Sequence, residues 1–300
     1  MSAATPPAKP GRRRPGTAVL AVVLAVVLAA ASAGCAVVDY EQRRWIFQPI
    51  TSTWAPGLAG AEGMDDVWIE FESSHPEHLG KPARLHGLWL PQAEPSAPVL
   101  LYLHGTRWDV RASTPRMRRM HQLGFSVLGI DYRGFGRSTQ ALPSETLVAE
   151  DARAAWAWLA QQHPQARRFV FGHSLGGAVA VQLADEVADE AGLIVEGTFT
   201  SIPDVFTSLR WGWVPITWMI TQRFDSASRI ANVGSPVLVV HGSEDGMVPS
   251  SLGRALFDKA REPKRFVLVE GASHYNANAV GQAQYREALT ALFGLPRAAD

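Results

Sequence analysis

Gly172-His173-Ser174-Leu175-Gly176 reads G-x-S-x-G, a spacing in which two glycines clear room around a sharp turn and a serine hydroxyl is pushed into the open. The apolar run Phe169-Val170-Phe171 precedes it and Ala178-Val179-Ala180-Val181 follows, so Ser174 is expected at a strand-to-helix turn. A serine hydroxyl is a weak nucleophile until a base takes its proton and a third group holds that base. The histidines beyond Ser174 are His241 and His274. His274, in the loop Gly271-Ala272-Ser273-His274-Tyr275, is the expected base. His241 stands directly before Gly242 at a strand end and is its rival. Asp245, in Gly242-Ser243-Glu244-Asp245-Gly246, is the expected acid, with Glu244 and Glu196 as rivals.

Negative charge developing on a tetrahedral intermediate needs fixed donors, commonly backbone N–H groups. Leu175, next after the serine, is expected to supply one. The other is expected from the loop after Val99–Leu103, where Thr106 is the first choice and Arg107 the second. His104 in the His-Gly pair is read as a turn-shaping residue rather than a base.

These side chains need a scaffold that gathers strand ends. Short apolar runs alternate with helical stretches: Val67–Glu72, Leu85–Leu90, Val99–Leu103, Ser126–Ile130, Phe169–Phe171, Leu193–Val195, Val237–Val240 and Phe266–Val269, with helices over Glu145–Gln162 and Gly177–Val187. Runs that are apolar throughout suit a parallel sheet covered on both faces. The first two alternate in polarity, which predicts an antiparallel edge. The fold class expected is therefore α/β: a mostly parallel central sheet flanked by helices. The segment of about 197–229, with Trp211, Trp213, Trp218, Phe206 and Met219, breaks the rhythm and reads as a small cap insertion. Its tryptophans are expected either to wall an acyl pocket or to form the cap's own core.

Leu103-His104-Gly105, Asp131-Tyr132-Arg133-Gly134-Phe135-Gly136-Arg137-Ser138, the Ser174 motif, His241-Gly242-Ser243-Glu244-Asp245 and His274 together resemble the α/β-hydrolase family over roughly residues 65 to 295. The Asp-Tyr-Arg-Gly-Phe-Gly segment with an N-terminal membrane signal is similar to its membrane-associated ABHD/BEM46-like branch. The order Ser, Asp, His is the one this architecture uses. The resemblance implies hydrolysis of carboxylic esters, thioesters or lipid esters such as acylglycerols and lysophospholipids, with no metal and no cofactor. Many relatives place Asn after the His-Gly pair, so Thr106 removes an Asn side chain there while leaving a backbone donor. An internal Asp131–Arg133 pair is expected to anchor the neighbouring loop. Dehalogenase and epoxide hydrolase relatives carry Asp at the position of Ser174, which sets them aside. Two other functions stay open: a peptidase or amidase, and a catalytically silent envelope-binding lipoprotein.

The 300-residue chain has 47% hydrophobic residues and a formal net charge of zero, which fits one large α/β domain and gives no broad basic surface for nucleic acid. The N-terminus departs from this average. Lys9 and Arg12 to Arg14 precede an apolar run from Ala18 to Ala33, and Ala31-Ser32-Ala33-Gly34-Cys35 resembles a bacterial lipobox whose cysteine is lipidated, with Ser32 where leucine is more usual. An uncleaved anchor is the alternative, because apolar residues continue through Val37 and Val38; simple secretion is a third. Cys35 is the sole cysteine, so no intramolecular disulfide exists. The expected organisation is a signal, lipoprotein or anchor segment at 1–35, a connector at 36–64 and a catalytic domain at 65–300. Positive charge retained inside places that domain outside the cytoplasm. The expected location is the bacterial cell envelope, and Ala36 after the cysteine is, by resemblance to sorted lipoproteins, compatible with the outer membrane. An ester substrate and a membrane are the expected partners.

Overall fold

Residues 33–49, 60–209 and 212–295 are described in a computed structural model of the chain. Lys9 and Arg12 to Arg14, most of the apolar run, and Trp211 lie outside them. Contacts group Gln42–Asp300 into one unit and Met1–Glu41 into another. A helix over 33–47 carries Cys35, which is exposed. Among the described residues no helix is long and apolar enough to cross a membrane.

Eight strands form one sheet: β1 (Asp65–Glu72), β2 (Pro82–Leu90), β3 (Val99–Leu103), β4 (Ser126–Ile130), β5 (Arg168–His173), β6 (Glu190–Glu196), β7 (Val237–Gly242) and β8 (Lys264–Val269). Their order is β1-β2-β4-β3-β5-β6-β7-β8. β1 pairs antiparallel with β2 and β2 antiparallel with β4, while all later pairings are parallel. The alternating segments thus make the antiparallel edge, and the uninterrupted apolar ones make the middle.

Alternation along each strand divides its side chains between two cores. Leu101, Leu103, Val170 and Val239 pack on one face; Leu100, Tyr102, Phe169, Phe171, Leu238 and Val240 pack on the other. The first face is covered by α2 (Glu145–Gln162) and α3 (Leu175–Glu186), through Val148, Ala152, Ala180 and Leu183. The second is covered by α1 (Thr114–Gln122) and α6 (Gln282–Phe293), through Met117, Met120, Tyr285 and Leu289. α2 starts where Ser144 caps it, the hydroxyl accepting from the Leu147 N–H at 3.1 Å.

β3 is flanked by β4 on one side and β5 on the other. This is where the winding direction of the sheet reverses, and such a point leaves a crevice beyond the carboxyl ends of the strands. The loop carrying Thr106 and the turn carrying Ser174 meet there, with Leu103 of β3 in register with Gly172 of β5.

The insertion contains α4 (Ile202–Ser208), a 3-10 turn at Thr217–Met219 and α5 (Ser226–Arg229). The two described tryptophans, Trp213 and Trp218, depart from both expectations. Trp213 is 75% and Trp218 78% exposed, so they form no cap core, and neither lines the Ser174 cavity. Phe224 supplies the buried aromatic instead, packing edge-on against Phe47 at 5.8 Å. From the connector, Ile46 and Phe47 are buried while Trp45 is not. Gln42 ties this stretch to the insertion, donating to the Met219 carbonyl at 2.7 Å and accepting from the Thr221 N–H at 2.9 Å.

The expected Asp131–Arg133 pair does not form. Asp131 instead bonds His86 at 2.9 Å and accepts from the Val110 N–H at 2.6 Å, while the Arg133 Nε donates to Asp151 at 2.6 Å. Each side chain anchors the loop to a different element, because each has its own buried hydrogen-bond partner, His86 on β2 and Asp151 on α2.

Candidate active site

The turn at the end of β5 puts Ser174 at φ 56° and ψ −123°, a strained backbone for a residue with a Cβ. The two glycines of the motif make it sterically feasible: a Cβ on Gly172 would meet the Gly176 carbonyl oxygen at 2.1 Å, and one on Gly176 the Leu103 oxygen at 2.2 Å. Donation of the Ser174 N–H to the Glu196 carbonyl at 2.9 Å, and of the Thr198 hydroxyl to the Ser174 carbonyl at 2.9 Å, pins the strained peptide on both sides.

The structure brings Ser174, His274 and Asp245 together. The Ser174 hydroxyl and His274 Nε2 are 3.0 Å apart, and His274 Nδ1 is 2.7 Å from Asp245 Oδ2. An ionised carboxylate only accepts, so Nδ1 carries the proton and Nε2 presents its lone pair to the hydroxyl. Gly197 keeps the space beside the ring open; a Cβ there would stand 3.3 Å from Nδ1.

The rival residues have other roles. His241, fully buried, points Nε2 at Asp245 Oδ2 (3.2 Å) and at the Val248 carbonyl (2.9 Å). Facing two acceptors, Nε2 is the protonated nitrogen, and His241 becomes a second support for the acid. Asp245 Oδ1 accepts from the Met247 and Val248 N–H groups at 2.9 and 2.8 Å. Burial opposes ionisation of Asp245, but the bonds from His241, His274 and Val248 outweigh it and hold its carboxyl well below the usual carboxylate range. Glu244 is exposed. Glu196 is buried and bonds Arg116 at 2.8 Å and the Tyr285 hydroxyl.

Leu175 is the first residue of α3, where an N–H has no partner within the helix. Arg107, the second choice on the facing loop, is engaged elsewhere: its N–H donates to the Phe47 carbonyl at 3.1 Å. Arg107 has φ 74°, and the Trp108 N–H closes back on the Thr106 carbonyl at 3.0 Å, a tight three-residue turn. No backbone acceptor among the described residues takes the N–H of Thr106 or Leu175. His104 is buried between Tyr132 and Phe135, its Nδ1 2.7 Å from the Gly105 carbonyl oxygen. That carbonyl shares a planar trans peptide with the Thr106 N–H, so holding one end fixes the direction of the other.

His173 was read only as the variable position of the motif. It is buried, and its Nε2 donates to the His274 carbonyl at 2.9 Å, which anchors the loop that carries the base. Burial, followed by the charges of Arg116 and His274, pushes its pKa far down, so it stays neutral. No sequence signal separates this role from that of any buried histidine. For His241, the four-residue step to Asp245 was a usable hint.

A protein of Mycobacterium tuberculosis named as uncharacterized protein Rv2307c is 35% identical over 255 residues, which covers 84% of this chain and 87% of that protein. A family model described as serine aminopeptidase S33, a hydrolase family, matches residues 94–229. The chain belongs to the α/β-hydrolase family. A further relative, the lysophosphatidylserine lipase ABHD12 of Danio rerio, is 32% identical over 225 residues, or 68% of this chain and 53% of that protein. The esterase Pf2001 of Pyrococcus furiosus superposes with a TM-score of 0.62 at 18% identity, over 82% of this chain and 98% of that one. A Rhodothermus marinus esterase domain superposes at 0.53 and 24% identity, over 76% and 97%. At these identities the likeness is one of fold.

In this α/β-hydrolase the serine opens onto a cavity of about 480 Å³, within the range of small-molecule sites. Trp108, Met247 and Tyr275 make its apolar wall, and Arg107, Arg116 and Arg119 its charged one. None of the three aromatic or thioether residues was anticipated, since each sits in an irregular loop. No group of three or more His, Cys, Asp or Glu side chains suited to a metal occurs among the described residues.

Proposed function

We propose that the chain is a membrane-tethered serine hydrolase of carboxylic esters that works through an acyl-enzyme. The observation that carries this reading is the line from Ser174 through His274 to Asp245, at 3.0 and 2.7 Å, opening on one cavity. As the Ser174 oxygen attacks the ester carbonyl, its proton passes to His274 Nε2, and the carbonyl oxygen becomes an oxyanion facing the Leu175 and Thr106 amides. Collapse expels the alcohol, which takes the proton from His274. Water then gives a proton to the same nitrogen and attacks the acyl carbonyl, and collapse breaks the ester to Ser174, whose oxygen takes that proton back from His274 as the acid leaves. The relative named a lysophosphatidylserine lipase supports lysophospholipid esters as the substrate class. The S33 description of the matching model supports amide substrates as a second reading.

The test is hydrolysis of p-nitrophenyl esters of increasing chain length by the full chain in detergent, beside aminoacyl p-nitroanilides. Ser174→Ala is expected to lower kcat by about 10⁴-fold or more. Equal background from both folded proteins overturns the esterase reading, and Ser174-dependent cleavage of anilides alone favours the peptidase. For the tether, lipidation of Cys35 on the outer side of the envelope membrane is the first reading; its exposed position is consistent with modification. The uncleaved anchor is supported by the helix that runs through Cys35 over 33–47 without a break. The mass of the mature N-terminus separates the two.

A further inference from the structure

Three arginines and no carboxylate stand in the wall of the Ser174 cavity. Arg116 and Arg119 are three residues apart on α1, hence neighbours on one helix face. Like charges at that spacing work against the helix, and a cation in its first turn opposes the helix dipole. For Arg116 the fold supplies the compensation: its Nε donates to Glu196 at 2.8 Å and its Nη2 to the Tyr275 carbonyl at 3.2 Å.

Arg119 has no such compensation. It is partly buried at the cavity wall, yet no carboxylate, carbonyl or hydroxyl among the described residues accepts from its guanidinium. Burial first, and then the charge of Arg116, lowers its pKa from the usual guanidinium range against the attraction of Glu196. Arg107, held at φ 74° in the facing loop, is exposed and likewise without an ion pair. Two guanidinium groups that no ion pair satisfies among the described residues, in a wall without a carboxylate, make this side of the cavity electrostatically suited to an anion.

We propose that Arg119, assisted by Arg107, binds an anionic group carried by the ester whose carbonyl meets Ser174. The planar guanidinium suits a carboxylate or a phosphate. The apolar wall of Trp108, Met247 and Tyr275 would take the hydrocarbon part. This inference rests on the esterase reading and adds the charge of the substrate to it.

Two matched pairs of probes test it on the full chain. p-Nitrophenyl hydrogen glutarate against p-nitrophenyl valerate places a carboxylate on the acyl side; oleoyl lysophosphatidic acid against monooleoylglycerol places a phosphate on the alcohol side. In at least one pair the anionic member is expected to have the higher kcat/KM. Arg119→Gln should reduce that anionic-to-neutral ratio by about tenfold to a hundredfold, with Arg119→Lys recovering part of it. The pair that responds identifies the anion. A ratio near one in both pairs, or a ratio that Arg119→Gln leaves in place, overturns the anion site while Ser174-dependent hydrolysis of the neutral esters keeps the esterase reading standing. Absence of any Ser174-dependent hydrolysis overturns both.

Discussion

At the scale of single residues, three carboxylates competed for one role, and geometry separates them. Asp245 accepts from His274 and is held ionised by three further donors, His241 and the Met247 and Val248 amides, whereas Glu196 is consumed by Arg116 and Glu244 faces solvent. Asp245→Asn should lower kcat by about 10³- to 10⁴-fold, because an amide in that place favours the wrong imidazole tautomer, while Glu244→Gln should change it by less than about twofold; steady-state kinetics on one p-nitrophenyl ester measures both. The meeting of Ser174, His274 and Asp245 was legible because each stands in a short pattern with a steric or chemical reason: glycines around Ser174, loops after strands for Asp245 and His274. His173 and His241 were not legible in the same way. Their roles depend on which carbonyl or carboxylate lies opposite, and that is set by residues about a hundred positions away in one case.

At the scale of elements, the presence and order of the strands followed from polarity period, and β3, β4 and α2 have the bounds expected of them, whereas β1, β2, β5, β6 and β8 begin one to three residues earlier, on polar or small residues that the period does not mark. What periodicity could not supply was the bond between elements. α2 is fixed to the loop after β4 and to the stretch after β1 through Glu150, which accepts from Arg133, Ser73 and Ser74. Burial raises the pKa of this carboxyl, but those donors prevail and lower it to about 2 from 4.5. A folded-state value below the ordinary one contributes stability above pH 4.5 or so, and that contribution is lost as pH falls toward about 2. The thermal midpoint should therefore drop through that interval, and Glu150→Gln should flatten the drop while lowering the midpoint at neutral pH. Differential scanning calorimetry across the acid range checks both signs. Within the insertion the places of Trp213 and Trp218 were not legible: tryptophans in sequence suggest a pocket wall or a core, but among the described residues the regular elements there are a short turn and helices of four and seven residues, which offer no broad surface to bury them.

At the scale of the whole molecule, the N-terminal stretch and the catalytic crevice were read as separate matters, a tether and a site. They meet at one bond. The Phe47 carbonyl takes the Arg107 N–H, so the end of the helix over 33–47 engages that amide and leaves the Thr106 amide without a backbone acceptor among the described residues. Versions of the protein beginning after Phe47 should keep the sheet and the triad yet lose about tenfold or more in kcat with little change in KM, whereas versions beginning before Gln42 should retain both. In mechanical terms the arrangement is a short lever. Force applied to the chain at Phe47 would reach the Thr106–Arg107 peptide through that bond, so tension on this segment and the shape of the loop beside Ser174 are mechanically linked.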